Sequence, residues 1–388
     1  MAECGNNSVK TNAVINSFID SKKLQLSSKK CHKIHLGNKE FFCPTLKVNE
    51  KRMEKVNEET YLGDVISSSG TCHPTITARA SKGFGITNEI LSIIDEIPLG
   101  GHRVSTGLKL REAMLINGIL YNSEVWYGIK EYDLNQVEKV DEYLLRGILK
   151  SHSKTSRAAL YLESGCIPLR YILKKRRIMY LYHILNRNSN ELIRKVYEAQ
   201  KRDPVKDDWV EKVQLDLEEL DINIEVMKHL KKNKFKRTVN EKVLKISFNY
   251  LENISNGQSK LSYLSYKKLE TQKYLLSLKF TNQQKSLLFK LRTRMLDVKD
   301  NFKNKYKNEL FCDLCGEYED QQHLLLCKVL INNCEALYND STIQYLDLFG
   351  AENKQLPVVK LFGKVLEARQ ALLDELSTRR NNLVQCTI

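Results

Sequence analysis

The stretch from Phe311 to Cys327 constrains this chain more narrowly than any other, because it carries Cys312, Cys315, His323 and Cys327 in the spacing C-x2-C-x7-H-x3-C. A C-x2-C turn lets two thiolates converge, and Gly316 directly after it permits a tight reversal. His323 and Cys327, four apart, fall on one face of a short helix. Three thiolates and one imidazole complete a tetrahedral donor set and leave no position open for water. The spacing therefore predicts a structural zinc ion that folds the segment, with no hydrolytic role. The alternative is three buried cysteines and a core histidine, but ligand spacing is more specific than lone residues. Cys334 lies nearby and is awkwardly far along to replace a ligand.

The rest of the composition sets the context for such a site. Ten cysteines in 388 residues show no further paired spacing, so the others read as reduced, small apolar groups. A chain of this length suits two or three domains with buried interiors. An apolar fraction of 42% with 28% charged residues describes a globular protein, and only six prolines favour helices. Lysine and arginine number 62 against 47 acidic residues, a net +15 that attracts polyanions such as nucleic acid or an anionic membrane surface. No apolar run is long enough to span a bilayer, and the N-terminus lacks a signal-peptide layout, so the expectation is an intracellular protein of nucleus or cytoplasm with no membrane partner.

Along the chain the fold class reads as mostly α. The first sixty-odd residues are the exception: Val14, Ile15, Phe18 and Ile19 sit at helical spacing, followed by strand-like Lys33-Ile34-His35-Leu36-Gly37 and Tyr61-Leu62-Gly63. From about Ile76 the period is helical. Leu108, Leu115, Ile116 and Ile119 form one stripe, and Leu134, Val137, Leu144, Leu145 and Ile148 another. Pro168 suits the first turn of a further helix. Asp207 and Asp208 precede a helix, Ser255-Asn256-Gly257 breaks another, and the polar stretch from Lys201 onward reads as a helical linker. A last helix is expected around Val358 to Leu376. The expected segments are 1–66, 67–200, 201–300, 301–340 and 341–388.

Three basic stretches are candidates for contact with RNA or DNA. Lys174, Lys175, Arg176 and Arg177 lie between apolar flanks on one helix. Lys228, Lys231, Lys232, Lys234, Lys236 and Arg237 form the densest cluster, with His229 and Phe235 interleaved as possible stacking partners for bases. Arg292 and Arg294, with Lys290 and Lys299, make a third stretch just before the zinc unit. Each reads equally as a solvated helix face.

The order of these features resembles the C-terminal half of the reverse transcriptase of non-LTR (LINE-type) retrotransposons, over most of the chain. Lys22-Lys23-Leu24-Gln25-Leu26 and Lys29-Lys30-Cys31-His32-Lys33-Ile34 look like the palm element after that family's catalytic carboxylates. Tyr61-Leu62-Gly63-Asp64 resembles its primer-grip hairpin. Arg79-Ala80-Ser81-Lys82-Gly83, Gly107-Leu108-Lys109-Leu110-Arg111, the helix from Leu115 to Leu120 and Tyr121-Asn122-Ser123-Glu124-Val125-Trp126 look like its duplex-gripping thumb. Leu144-Leu145-Arg146-Gly147-Ile148-Leu149, Leu160-Tyr161-Leu162-Glu163-Ser164-Gly165 and Pro168 with Arg176-Arg177 look like the segment after the thumb. Leu291-Arg292-Thr293-Arg294-Met295, Asn301-Phe302 and the four-ligand run are similar to its terminal zinc-knuckle region.

The resemblance implies a palm remnant, a thumb-like helical domain and a CCHC knuckle that hold nucleic acid. Polymerases of that kind need paired aspartates that hold magnesium. The only adjacent pair here, Asp207-Asp208, reads as a helix start, so no catalytic residue is expected and the chain reads as a fragment truncated upstream. No nuclease-type set of clustered carboxylates and lysine follows Cys334. A second expectation, from another class, is a repurposed non-enzymatic RNA- or DNA-binding protein whose zinc unit scaffolds a protein contact. A third, weaker one is a binder of anionic membranes.

Overall fold

The computed structural model describes residues 2–27, 30–35, 45–48, 51–98, 102–307, 309–333 and 343–385. Helix accounts for 63% and strand for 5%, which agrees with a mostly α chain. No helix among the described residues is long and apolar enough to cross a membrane. In chain order the elements are α1 (Ala2–Ser21), β1 (His32–Lys33), β2 (Lys47–Val48), β3 (Lys51–Arg52), β4 (Glu54–Lys55), β5 (Glu58–Tyr61), β6 (Asp64–Ser67), α2 (His73–Asp95), α3 (Arg103–Leu110) and α4 (Asn117–Ile119). Then come α5 (Glu131–Leu149), α6 (Arg157–Ser164), α7 (Leu169–Leu185), α8 (Leu192–Arg202), α9 (Trp209–Glu219), α10 (Ile224–Met227), α11 (Lys232–Asn256), α12 (Lys273–Leu276), α13 (Asn282–Arg292), α14 (His323–Leu326), α15 (Lys328–Asn333) and α16 (Glu352–Gln385).

The chain forms two compact units, one of residues 1–83, 119–137 and 176–228, the other of 84–118, 138–175 and 229–388. The expected boundaries near 66, 200 and 300 do not coincide with these, because the division falls inside α2, α4, α5 and α7 and again between α10 and α11. The linker expected over 201–300 is likewise corrected. Phe235, Val239, Val243 and Leu251 on α11, with Leu288, Phe289 and Leu291 on α13, are buried core residues of the second unit. Their neighbours are polar because each helix buries only one face.

In the first unit the strands form three two-stranded ladders: β1 with β4 in parallel, β2 with β3 and β5 with β6 antiparallel. In the last, Tyr61 pairs with Asp64 around Leu62 and Gly63, both left-handed at φ 49° and 88°. Two successive left-handed residues are what a tight hairpin turn demands. Arg79 on α2 pins this turn, donating to the Gly63 carbonyl at 2.6 Å and to Asp64 at 3.1 Å, with its guanidinium 4.7 Å from the Tyr121 ring centre. Val14, Ile15 and Phe18 of α1 are exposed while Ile19 is buried. Leu36 and Gly37, of the expected early strand, lie outside the described residues. Asp208 caps α9 by accepting from the Glu211 amide at 2.8 Å, which is the capping role read from the sequence.

The second unit is built around α6, where every residue from Ala158 to Ser164 is buried. Ser156 caps its start, and Gly165 ends it at φ 69°. A Cβ on Gly165 would lie 2.1 Å from the Thr271 amide nitrogen and 2.3 Å from the Glu270 carbonyl carbon, so only glycine fits. Glu163, fully buried, accepts from Arg292 at 2.9 and 3.0 Å, from Tyr266 at 2.6 Å and from Tyr274 at 2.7 Å. Burial beside Glu163 holds both phenols well above their ordinary range, so both remain donors. A second buried set joins Arg111 to Asp141 at 2.6 and 2.7 Å, with the Tyr161 hydroxyl on Asp141 at 2.8 Å. Arg111 opens a π-helical segment, Arg111–Ile116, between α3 and α4. Buried ions persist only when their remaining hydrogen-bonding capacity is met in this way.

Candidate metal centre and basic surfaces

The local chain between Phe311 and Cys327 folds into a knuckle for reasons visible in its backbone. Phe311 bridges Tyr318, the Cys312 amide donates to the Glu317 carbonyl at 2.7 Å, and the Gly316 amide returns to the Cys312 carbonyl at 2.9 Å. Gly316 sits at φ 78°, the reversal expected of it. Asp320 accepts from the His323 amide at 2.7 Å, fixing the start of α14. That helix carries His323, and Cys327 follows as its last, capping residue.

The ligand atoms of Cys312, Cys315, His323 and Cys327 all lie within 4.8 Å of one another, so the group could hold a metal ion. The Cys315 sulfur is 3.3 Å from His323 Nε2. A tetrahedral centre with metal–sulfur bonds of about 2.3 Å has sulfur–sulfur edges of about 3.8 Å, so donors within 4.8 Å would draw in by about 1 Å at most. Burial and the neighbouring Cys327 sulfur push the Cys312 thiol up to about 12, against the pull of the Leu314 and Cys315 amides. Burial raises Cys327 likewise, against the Leu330 and Val329 amides. Amides aimed at sulfur are the outer partners that a metal-bound thiolate uses, while burial without a cation favours the thiol. The donor set thus fits a divalent ion.

The knuckle is joined to the second unit by residues that no sequence signal singles out. Glu319, fully buried, accepts from Arg369 on α16 at 2.8 and 2.9 Å. Buried Gln321 donates to the Leu291 carbonyl at 2.9 Å and accepts from Asn301 at 3.0 Å. Lys299 donates to the Phe311 carbonyl and to Asp313, both at 2.7 Å. Asp320 is different: three residues before His323, it has the spacing of a helix-start acceptor and is legible in principle. Arg369 and Lys299 have no local signal, since their partners are distant in sequence.

The basic candidates divide by exposure. Lys231, Lys232, Lys234, Lys236 and Arg237 are exposed at the start of α11, and Arg237 pairs with Glu241 at 3.0 Å. Lys228 is half-buried and donates to Glu225. His229 is exposed, but Phe235 is buried in the core, so the stacking role expected of it is withdrawn. Lys174, Lys175 and Arg176 are half-buried; Lys174 lies 5.5 Å over the Tyr171 ring and Arg176 donates to the Leu120 carbonyl. Arg177 is buried against Asp216 at 2.6 Å, and Arg292 against Glu163. Neither guanidinium is offered to a phosphate, which corrects both expectations: a cation inside a basic run can face inward where a carboxylate waits. Arg294 pairs with Asp300 at 2.8 Å.

Compared with family models, with curated proteins and with solved structures, the chain gives no match.

Proposed function

We propose that this chain is a nucleic-acid-binding, C-terminal portion of a non-LTR retrotransposon reverse transcriptase, in which Cys312, Cys315, His323 and Cys327 hold one structural zinc ion. In this reading residues 1–66 are the palm remnant with its primer-grip-like hairpin, the helices after it are thumb-like, and 301–340 is the CCHC knuckle. Zinc, when bound, supplies no open position for a reacting water and acts as a cross-link between the C-x2-C turn and α14. No residue is assigned a chemical step.

The observation that carries the reading is the convergence of the four ligand atoms, the most specific piece of the resemblance. A second supports nucleic-acid contact. The first two turns of α11 hold Lys232, Lys234, Lys236 and Arg237 after Lys231, with no acidic residue in the first turn. A helix N-terminus already carries a positive partial charge, so cations crowded there repel it and one another, and an anionic partner relieves both.

The test uses the full chain. Metal analysis is expected to find one zinc per wild-type molecule and none in Cys315→Ser. Fluorescence anisotropy with a labelled single-stranded RNA is expected to show binding that weakens steeply with salt. A metal-free wild type as stable as the zinc-treated protein, or no RNA binding at low salt, would overturn the proposal.

A further inference from the structure

Beside the knuckle, the second unit gathers a set of cations that no single run of sequence contains. Its centre is a pair of rings, His152 and Phe302, with centroids 4.5 Å apart. Lys260 lies 5.0 Å over the Phe302 ring and donates to the Asn301 carbonyl. The Lys154 amide donates to His152 Nδ1 at 3.0 Å, and Ser286, one turn before Lys290 on α13, donates to the Lys150 carbonyl at 3.1 Å. Burial disfavours the His152 imidazolium, Asp297 opposes that effect, and Lys154, Lys290 and Lys305 add to it. Lys260 is depressed chiefly by burial, then by Arg294 and Lys154, with Asp300 opposing. The chain around residues 152–154, 260 and 290–305 thus brings like charges into one field.

The carboxylates within this field are already committed. Asp297 takes Lys305 at 2.6 Å, and Asp300 takes Arg294 at 2.8 Å and Lys303 at 3.2 Å. Lys154, Lys260 and Lys290 make no salt bridge among the described residues. Like charges held together cost free energy in the free protein, and an anion laid across them recovers it.

We infer that the surface around His152, formed by Lys154, Lys260 and Lys290, binds the sugar–phosphate backbone of a nucleic-acid strand. The inference rests on the proposed nucleic-acid function and names a site for it distinct from α11. The rings argue for backbone contact without base stacking: Phe302 is buried, His152 lies against it, and Lys305 sits 4.9 Å over the Tyr306 ring. Ring faces already covered by ammonium groups are not offered to a base. Such a surface reads phosphate spacing and tolerates any sequence.

The experiment compares wild type with Lys154→Gln/Lys290→Gln and with Lys232→Gln/Lys234→Gln, using the same labelled single-stranded RNA at several salt concentrations. The Lys154/Lys290 variant is expected to bind at least tenfold more weakly at low salt. Its slope of log affinity against log salt should be shallower by about 0.7 for each phosphate that the variant no longer neutralises. Lys154→Arg/Lys290→Arg, which keeps both charges, is expected to bind as wild type, and this separates a missing charge from a failure to fold. Wild type that does not bind RNA would sink the function proposed above. Wild type that binds, with the Gln variant equal in affinity and slope, would overturn this inference alone. Displacement of the RNA by polyglutamate as readily as by unlabelled RNA would overturn the assignment to a sugar–phosphate strand.

Discussion

Two places in the second unit draw separate pieces of chain to a point, and they do it by opposite means. The knuckle takes its four ligands from one short run, whereas the charges at Glu163 arrive from as far as 129 positions away at Arg292. In the knuckle the turn at Gly316 and the start of α14 both lie between the donors, so contacts among near neighbours in the chain shape their approach. At Glu163 nothing local prepares the pair, and α6, α12 and α13 must already be packed before the carboxylate finds its three donors. On the proposed reading, the first is a segment whose fold a bound metal would complete. The second is a consequence of a finished core.

The two should therefore fail differently. The binding free energy of a structural zinc is folding free energy, on the order of 10 kcal/mol in isolated zinc-binding peptides. Chelation of the zinc-loaded protein is expected to raise amide hydrogen exchange sharply over 309–333, while α6 and α13 keep their protection. Equal loss of protection in all three segments would show that the knuckle does not fold and unfold apart from the core.

The Glu163 network should respond to substitution and not to chelation. Glu163→Ala leaves the Arg292 guanidinium buried with no carboxylate, and removing one partner of a buried ion pair costs about 3–5 kcal/mol. The expected outcome, read by denaturant unfolding with zinc present, is a loss in that range with metal content unchanged. Zinc lost together with stability would mean that the two centres are one. Both oxygens of Glu163 are in use, so Glu163→Gln is also expected to destabilise, though less, because it keeps one acceptor for the two tyrosines and the arginine.

The same contrast explains what a sequence can tell. Cys312, Cys315, Gly316, His323 and Cys327 are legible because their geometry is set by neighbours in the chain, and the same holds for Asp208 as a cap and for the Tyr61–Asp64 turn. Arg177 and Arg292 read as surface cations and are not. Both sit in runs of basic residues, and only the packing of α7 on α9, and of α13 near α6, turns them toward Asp216 and Glu163. Phe235 misleads for the same reason, since an aromatic among lysines on one helix can point to either face. The cation field at His152 is invisible in sequence, because Lys154, Lys260, Lys290 and Lys305 share no run. Long-range information is what the local pattern lacks: which inward face meets which partner.

Within the knuckle the finest test concerns Asp320, whose carboxylate accepts from the His323 amide. Loss of a helix-start acceptor costs about 1 kcal/mol, so Asp320→Ala is expected to weaken zinc affinity roughly tenfold or less. This follows because α14 spans only His323–Leu326 and has no length of its own to hold the ligand in place. Competition with a chromophoric chelator reads the affinity directly. If the knuckle is prepared locally, as the comparison holds, the variant loses affinity while α6 and α13 keep their exchange protection. An unchanged zinc affinity would mean that the long-range partners of Glu319, Gln321 and Lys299 in the rest of the unit, and not the local turn, set the position of His323. The knuckle would then belong with Glu163 as a product of the packed core.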